Sequence, residues 1–135
     1  MSARSEYSDL EPKPEGELAL QTLAMPRDTN ANGDIFGGWL VSQMDLAAGI
    51  ATKQVTKGRS ATVAIKNVSF LYPVSVGSIV SCYASIAEIG RSSMHINIEV
   101  WIANSITQQG MRKVAEGLFV FVAIDDNGRT RRIEV

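Results

Sequence analysis

Asp45 is the single charged residue in the mostly apolar run Trp39–Ala51. Gly38, Ser42, Asp45, Gly49 and Thr52 are spaced four, three, four and three apart, so in a helix they share one face. That face is small and polar, whereas Leu40, Val41, Met44, Ala48, Ala51 and Val55 fill the neighbouring faces. Small residues let a second backbone or a thin ligand come close. A carboxylate on a buried helix costs free energy unless it is satisfied or used. Asp45 is therefore either a structural acid bonded to a nearby loop or a reactive one. Gly37 and Gly38 stand just ahead of the run. Free N–H groups at a helix start, together with the helix dipole, favour developing negative charge. Two glycines let an acyl group approach those groups with no Cβ in the way. This is the local chemistry of an oxyanion hole, and Asp45 lies about two turns further along. Asn30 and Asn32 precede the glycines. An Asn amide can donate to a carbonyl or hold a water, and it equally forms turns or caps.

Other combinations offer less. Ser42 has no histidine near it in sequence, which argues against a Ser-His-Asp triad. His95 is the only histidine and Cys82 the only cysteine, so no metal-ligand spacing is present and no metal is expected. Cys82 falls on the apolar side of its segment, where a thiol is inert. Gly90-Arg91-Ser92-Ser93 places a guanidinium and two hydroxyls at a turn, which can hold a phosphate or simply be solvated.

The elements that must carry these residues follow from periodicity. Leu18–Met25 reads as a strand with Leu18, Leu20 and Thr22 on one face, stopped by Pro26. Residues 27–38 form a loop rich in Asp, Asn and Gly. Trp39 to about Val55 is the one long helix, closed by Lys57-Gly58, and about 28 Å long counted from Gly37. It is apolar nearly all round until Lys53, as a buried helix is. Strands follow at Ala61–Tyr72, Ser78–Ile89, Ser93–Ala103 and Met111–Ile124, with a short last one at Arg131–Val135. In Ser93–Ala103, Met94, Ile96, Ile98, Val100 and Ile102 point one way, and His95, Asn97, Glu99 and Trp101 the other. Asp125-Asp126-Asn127-Gly128 is a turn. Short connections favour an antiparallel meander. The order predicts an α+β domain, a central helix wrapped by an antiparallel sheet of five to six strands, with a second copy covering what one sheet leaves open.

Composition narrows the function. At 135 residues there is room for one core; residues 1–16 are expected to be a flexible N-terminal arm and 17–135 a single domain. Thirteen basic against 14 acidic side chains leave a net charge of -1, so no global basic field draws nucleic acid or membrane. No window approaches the roughly 18 apolar residues of a membrane span, and no secretory leader is visible. A lone cysteine suits a reducing compartment, and a cytoplasmic location is expected.

The stretch Ala24-Met25-Pro26-Arg27-Asp28-Thr29-Asn30-Ala31-Asn32-Gly33-Asp34-Ile35-Phe36-Gly37-Gly38-Trp39, continuing through Ser42-Gln43-Met44-Asp45, closely resembles the YciA-type acyl-CoA thioesterases. Collinear matches follow at Thr62-Val63-Ala64, Pro73–Gly77, Gly90–Ser93, Ile98–Trp101 and Val122–Asp125, so the resemblance spans roughly residues 18–132. It implies the hotdog fold, assembly through dimers into a trimer of dimers, and active sites at the dimer interface. It implies that Asn30, of an N-x-x-G-x-x-x-G-G loop through Gly33, Gly37 and Gly38, shares a site with Asp45 of the facing subunit. The substrate implied is a fatty acyl-CoA, hydrolysed to free acid and CoA with no resident cofactor. Asp45 acts as general base or, alternatively, as nucleophile, and Gly37 and Gly38 polarise the carbonyl. Arg91, Ser92, Ser93 and Arg59 contact the CoA phosphates. Lys66, Ala115-Glu116 and Gly117 depart from the family's pattern, which bears on acyl preference. Two alternatives compete: a non-catalytic acyl-CoA sensor, and a hotdog hydratase or dehydratase, which needs a His beside its carboxylate.

Overall fold

The computed structural model describes residues 13–103 and 110–134. Most of the expected N-terminal arm, and Val135 of the expected last strand, lie outside the described residues. Five strands and one long helix form in the order β1 (Glu17–Leu23), α1 (Gly37–Thr56), β2 (Ser60–Phe70), β3 (Ile79–Ile89), β4 (Ser93–Ala103) and β5 (Arg112–Ala123). All pairings are antiparallel, in the sheet order β1-β3-β4-β5-β2. Only β3, β4 and β5 make the expected meander. The helix carries the chain from β1, at one edge, to β2 at the other.

The helix packs on one face of this sheet and touches all five strands. Leu40, Met44, Ala47, Ala48, Thr52 and Thr56 are its buried face, three and four residues apart. Opposite them Met94, Ile96, Ile98 and Val100 of the central strand are fully buried, as their alternation requires. The helix is not covered all round by its own sheet: Leu46 is 56% and Ile50 42% exposed.

Several expectations shift for local reasons. The helix begins at Gly37 rather than Trp39, with Phe36 as its N-cap. A bulge between Leu18 and Leu20 turns Leu18 outward opposite Tyr83, while Leu20 faces in with Cys82, so the two do not share a face. Among the described residues the sheet has five strands, the lower of the five to six expected; no strand forms over 131–134, and Thr130 makes one isolated bridge to Ile124. Trp101 sits on the polar side as expected but is buried, its indole N–H donating to Glu99 at 2.9 Å. Pro26–Asp28 is a single 3-10 turn within the predicted loop; buried Asp28 accepts the Met25 N–H at 3.2 Å.

Candidate active site

The loop from Thr29 to Ile35 is closed by a bridge between those two residues, and Ile35 is buried with its N–H on the Val74 carbonyl at 2.9 Å. Inside it Asn30 builds the turn. Its Oδ1 accepts the N–H groups of Asn32 at 2.9 Å and Asp34 at 3.1 Å, and Gly33 takes the left-handed conformation (φ 84°) that closes the turn. Asn30 is exposed, and its amide NH₂ has no partner among the described residues. The side chain is thus held by its acceptor while its donor stays free. Of the two asparagines, Asn30 is the turn-former, and it keeps the donor that chemistry could use.

Phe36 donates its N–H to the Asp28 carbonyl at 3.1 Å, which fixes where the helix starts. No side chain caps that start, and the N–H groups of Gly37 and Gly38 find no acceptor among the described residues. The glycines admit aromatic rings. A Cβ on Gly37 would lie 3.0 Å from Cζ of Phe70, and one on Gly38 3.0 Å from Cε2 of Phe36. Both rings are about half exposed. They frame the two N–H groups with apolar walls.

Asp45 is half-buried on the helix side facing β2. Its Oδ1 accepts the Thr62 hydroxyl at 2.6 Å, and its other oxygen has no protein donor among the described residues. The acid is held at one oxygen and open at the other. The rest of the small stripe divides: Ser42 is exposed, Gly49 half-buried, and Thr52 fully buried, bonded to the Gly49 carbonyl at 2.9 Å and to Ser60 at 3.1 Å. From Gly38 to Asp45 is seven residues of helix, about 10 Å. A single chain therefore leaves Gly37 and Gly38 about two helical turns from Asp45.

The other candidates lie toward the opposite end of the helix. Ser92 and Arg59 accept the N–H groups of consecutive residues, Ala123 at 2.8 Å and Ile124 at 3.0 Å, so they flank the end of β5. Arg91 accepts the Ile133 N–H at 2.7 Å, and the Ser93 carbonyl closes the turn with the Gly90 N–H at 2.7 Å. The Arg59 side chain reaches the Asp126 carbonyl at 3.4 Å. His95 stands 3.8 Å from Glu88. Burial pushes the Cys82 thiol up to about 12, so it remains a neutral core group. Sequence reasoning missed Thr62, Phe36 and Phe70: Thr62 and Phe70 meet the helix through contacts between distant segments, and Phe36, two residues before Gly38, offers no polar group to single it out.

Residues 32–107 match the thioesterase superfamily model. The chain is 51% identical over 124 residues to the acyl-CoA thioester hydrolase YciA of Salmonella typhimurium, covering 90% of this chain and 93% of that one. Among solved structures it resembles the hexameric thioesterase y2039 of Yersinia pestis, at 49% identity and TM-score 0.87 over 91% of this chain and 100% of that one. It also resembles HI0827, a hexameric broad specificity acyl-coenzyme A thioesterase crystallised as an aspartate-to-alanine mutant. There the identity is 47% and the TM-score 0.86, over 89% of this chain and 88% of the other.

Proposed function

The chain belongs to the YciA-type acyl-CoA thioester hydrolases of the thioesterase superfamily, and we propose that it hydrolyses fatty acyl-CoA with Asp45 as general base, in a site shared by two subunits. The observation that carries this reading is Asp45 itself, held by Thr62 at one oxygen with the other open. Asp45 takes a proton from water as the water oxygen bonds to the thioester carbonyl carbon. The carbonyl oxygen, now negative, accepts from the N–H groups of Gly37 and Gly38 at the partner's helix start, and the NH₂ of Asn30 of the partner subunit orients the carbonyl or the water. The C–S bond then breaks. The CoA sulfur leaves with the electron pair and the proton returns to it from Asp45, giving free acid and CoA. A direct attack by Asp45 would instead form a mixed anhydride; an acid already bound to Thr62 and only half-buried favours the base.

Two observations support a shared site. The helix separates Asp45 from the glycine loop by about 10 Å within one chain. Ile65 of the edge strand pairs with core-facing Phe119, so it points to the helix side, yet it is 44% exposed. The helix does not reach over that edge, and a second subunit would cover it. The relatives are hexamers, which a trimer of such dimers satisfies. Arg91, Ser92, Ser93 and Arg59, gathered at the end of β5, would receive the nucleotide end of CoA. CoA is part of substrate and product, and the reaction uses no resident cofactor. Among the described residues no helix is long and apolar enough to cross a membrane.

The test is release of free CoA from a panel of short to long acyl-CoAs by the wild type and by Asp45→Ala. Hydrolysis by the wild type, lost in the variant while CoA binding persists, is the expected result. A folded protein that binds acyl-CoA but hydrolyses none of the panel would move the reading to a sensor.

A further inference from the structure

Asn30 and the two glycines at the helix start offer donors from different segments of the chain. A reaction can use them together only if their spacing is fixed. Loop contacts supply part of this. Thr29 and Ile35 form a bridge, the Asn30 N–H donates to the Asp34 carbonyl at 2.7 Å, and the Ile35 N–H donates to the Val74 carbonyl at 2.9 Å. The remaining tie runs through Asp28.

Among the described residues Asp28 is the most deeply buried carboxylate residue, 8% exposed. Burying an acid costs free energy unless it is used. Arg27 does little to offset that cost: its side chain is 81% exposed and its Nε lies 4.0 Å away. The carboxylate works on the backbone instead. Its Oδ2 accepts the Met25 N–H at 3.2 Å, which has no other acceptor among the described residues. In return the Asp28 N–H donates to the Met25 carbonyl at 2.9 Å. This reciprocal pair closes residues 25–28 into one turn. The turn is set on the sheet through buried Ala24, whose N–H reaches the Ser78 carbonyl at 3.0 Å and whose carbonyl accepts the Gly77 N–H at 2.8 Å. The far side of Asp28 faces the helix. Its carbonyl accepts the N–H of Phe36, the N-cap of α1, at 3.1 Å. Asn30 stands two residues past Asp28, and Gly37 one residue past Phe36. Both sets of donors are therefore referenced to Asp28.

We propose that Asp28 is a positioning residue for the thioester reaction: it fixes the Asn30 NH₂ and the N–H groups of Gly37 and Gly38 as one preorganised set of donors. Donors already in place need no reorganisation when the carbonyl oxygen becomes negative, and a misplacement of about 1 Å costs on the order of a hundredfold in rate. Without the carboxylate the Met25 N–H loses its acceptor and the turn is free to rotate on the sheet. The carbonyl that holds Phe36 moves with it, and the spacing between Asn30 and the helix start is lost. In this role Asp28 acts only through the backbone that it holds. The inference rests on the acyl-CoA hydrolase reading, in which those donors polarise the thioester.

The test begins with steady-state release of CoA. Asp28→Ala removes the acceptor and should lower kcat roughly tenfold to a hundredfold, with KM changed by no more than about twofold. Asp28→Asn keeps an acceptor oxygen in place and should recover most of kcat. In an Asn30→Ala background the Asp28→Ala factor should shrink, because one of the donors it positions is gone. Full additivity of the two substitutions, or a loss through KM that Asn does not rescue, overturns the proposal. If Asp28→Ala does not assemble, Asp28→Glu takes its place with the same expected fall, since it keeps the charge and moves the acceptor. Hydrogen–deuterium exchange of the full oligomer reads the effect without turnover. Exchange over residues 30–38 should speed up in Asp28→Ala and not in Asp28→Asn, with β3, β4 and β5 unchanged. Unchanged exchange over 30–38, or faster exchange spread across the whole sheet, overturns the proposal. That comparison decides the role of Asp28 even if no acyl-CoA is hydrolysed and the enzyme reading itself fails.

Discussion

At the residue scale the Thr62 hydroxyl is the point where structure adds most to Asp45. A hydrogen bond to a charged group is worth about 1.5–3 kcal/mol, and here it occupies one carboxylate oxygen and leaves the other without a donor among the described residues. Thr62→Val keeps the shape and removes the donor. We expect kcat to fall roughly tenfold with KM little changed, and Thr62→Ser to restore it, as read by steady-state release of CoA. A fall in KM and kcat together, not rescued by Ser, would mean that Thr62 only supports the strand. Asp45, Asn30 and the two glycines stand out in the sequence as candidates because their placement is local: spacing puts them on a helix face and in a turn. Thr62 was not, because it meets Asp45 across 17 residues of chain only after β2 has been laid beside the helix.

At the element scale two glycines separate packing from chemistry. Gly16 has φ 100°, and a Cβ there would lie 2.4 Å from the Ala84 carbonyl oxygen, where backbone cannot give way. Gly16→Ala should cost about 2 kcal/mol or more by denaturant unfolding, because it lifts the start of β1 off β3. At Gly37 the obstacle is the Phe70 ring, half exposed and able to turn. Gly37→Ala should leave stability within about 1 kcal/mol of wild type while pushing the ring into the helix mouth and lowering kcat/KM for acyl-CoA. Equal stability losses in the two variants would contradict this contrast. In sequence Gly16 fell at the end of the expected flexible arm. Its tight contact depends on β1 pairing with β3, as the placement of Leu18 depends on a bulge; neither leaves a mark in local periodicity. Element types and most ends were legible, since alternation in β4 and the helical apolar run are strong signals.

The outer face of the sheet carries a second prediction at this scale. Burial raises the Glu99 carboxyl, but hydrogen bonds from the Trp101 indole, the Glu15 N–H and Lys113 outweigh it and hold Glu99 below its ordinary value of 4.5. The folded state thus binds this proton less readily than the unfolded chain. Its contribution is complete above about the ordinary value and is lost as pH falls through the lower folded one. Glu99→Gln should therefore reduce stability near pH 7 and flatten the acid side of the stability profile, measured by denaturant unfolding from pH 7 to pH 3. An unchanged slope would show that the Lys113 pair is too solvated to matter.

At the scale of the whole molecule, the surface a single chain leaves open is informative. An edge strand presents unpaired backbone groups, and natural proteins cover or charge such edges. β2 carries Lys66 but also Val63, Ile65 and Phe70, all more than 40% exposed, and α1 leaves Leu46 and Ile50 uncovered. Sequence reasoning anticipated that one sheet could not cover an apolar helix, but it could not say where the gap would fall, because the crossover that sends β2 to the far edge is a property of the assembled sheet. The part of the gap along β2 borders Asp45, which Thr62 of that strand holds, so the proposed shared site ties catalysis to assembly there. Ile65→Lys places a charge on the helix side of that edge. We expect the oligomer to dissociate in sedimentation velocity, and the hydrolysis of acyl-CoA to fall in step with the fraction dissociated, because the proposed site draws Asp45 from one subunit and the glycine loop from its partner. An intact oligomer with an altered preference among acyl chain lengths would instead place Ile65 along the path of the acyl chain. An intact oligomer with unaltered kinetics would remove β2 from both roles.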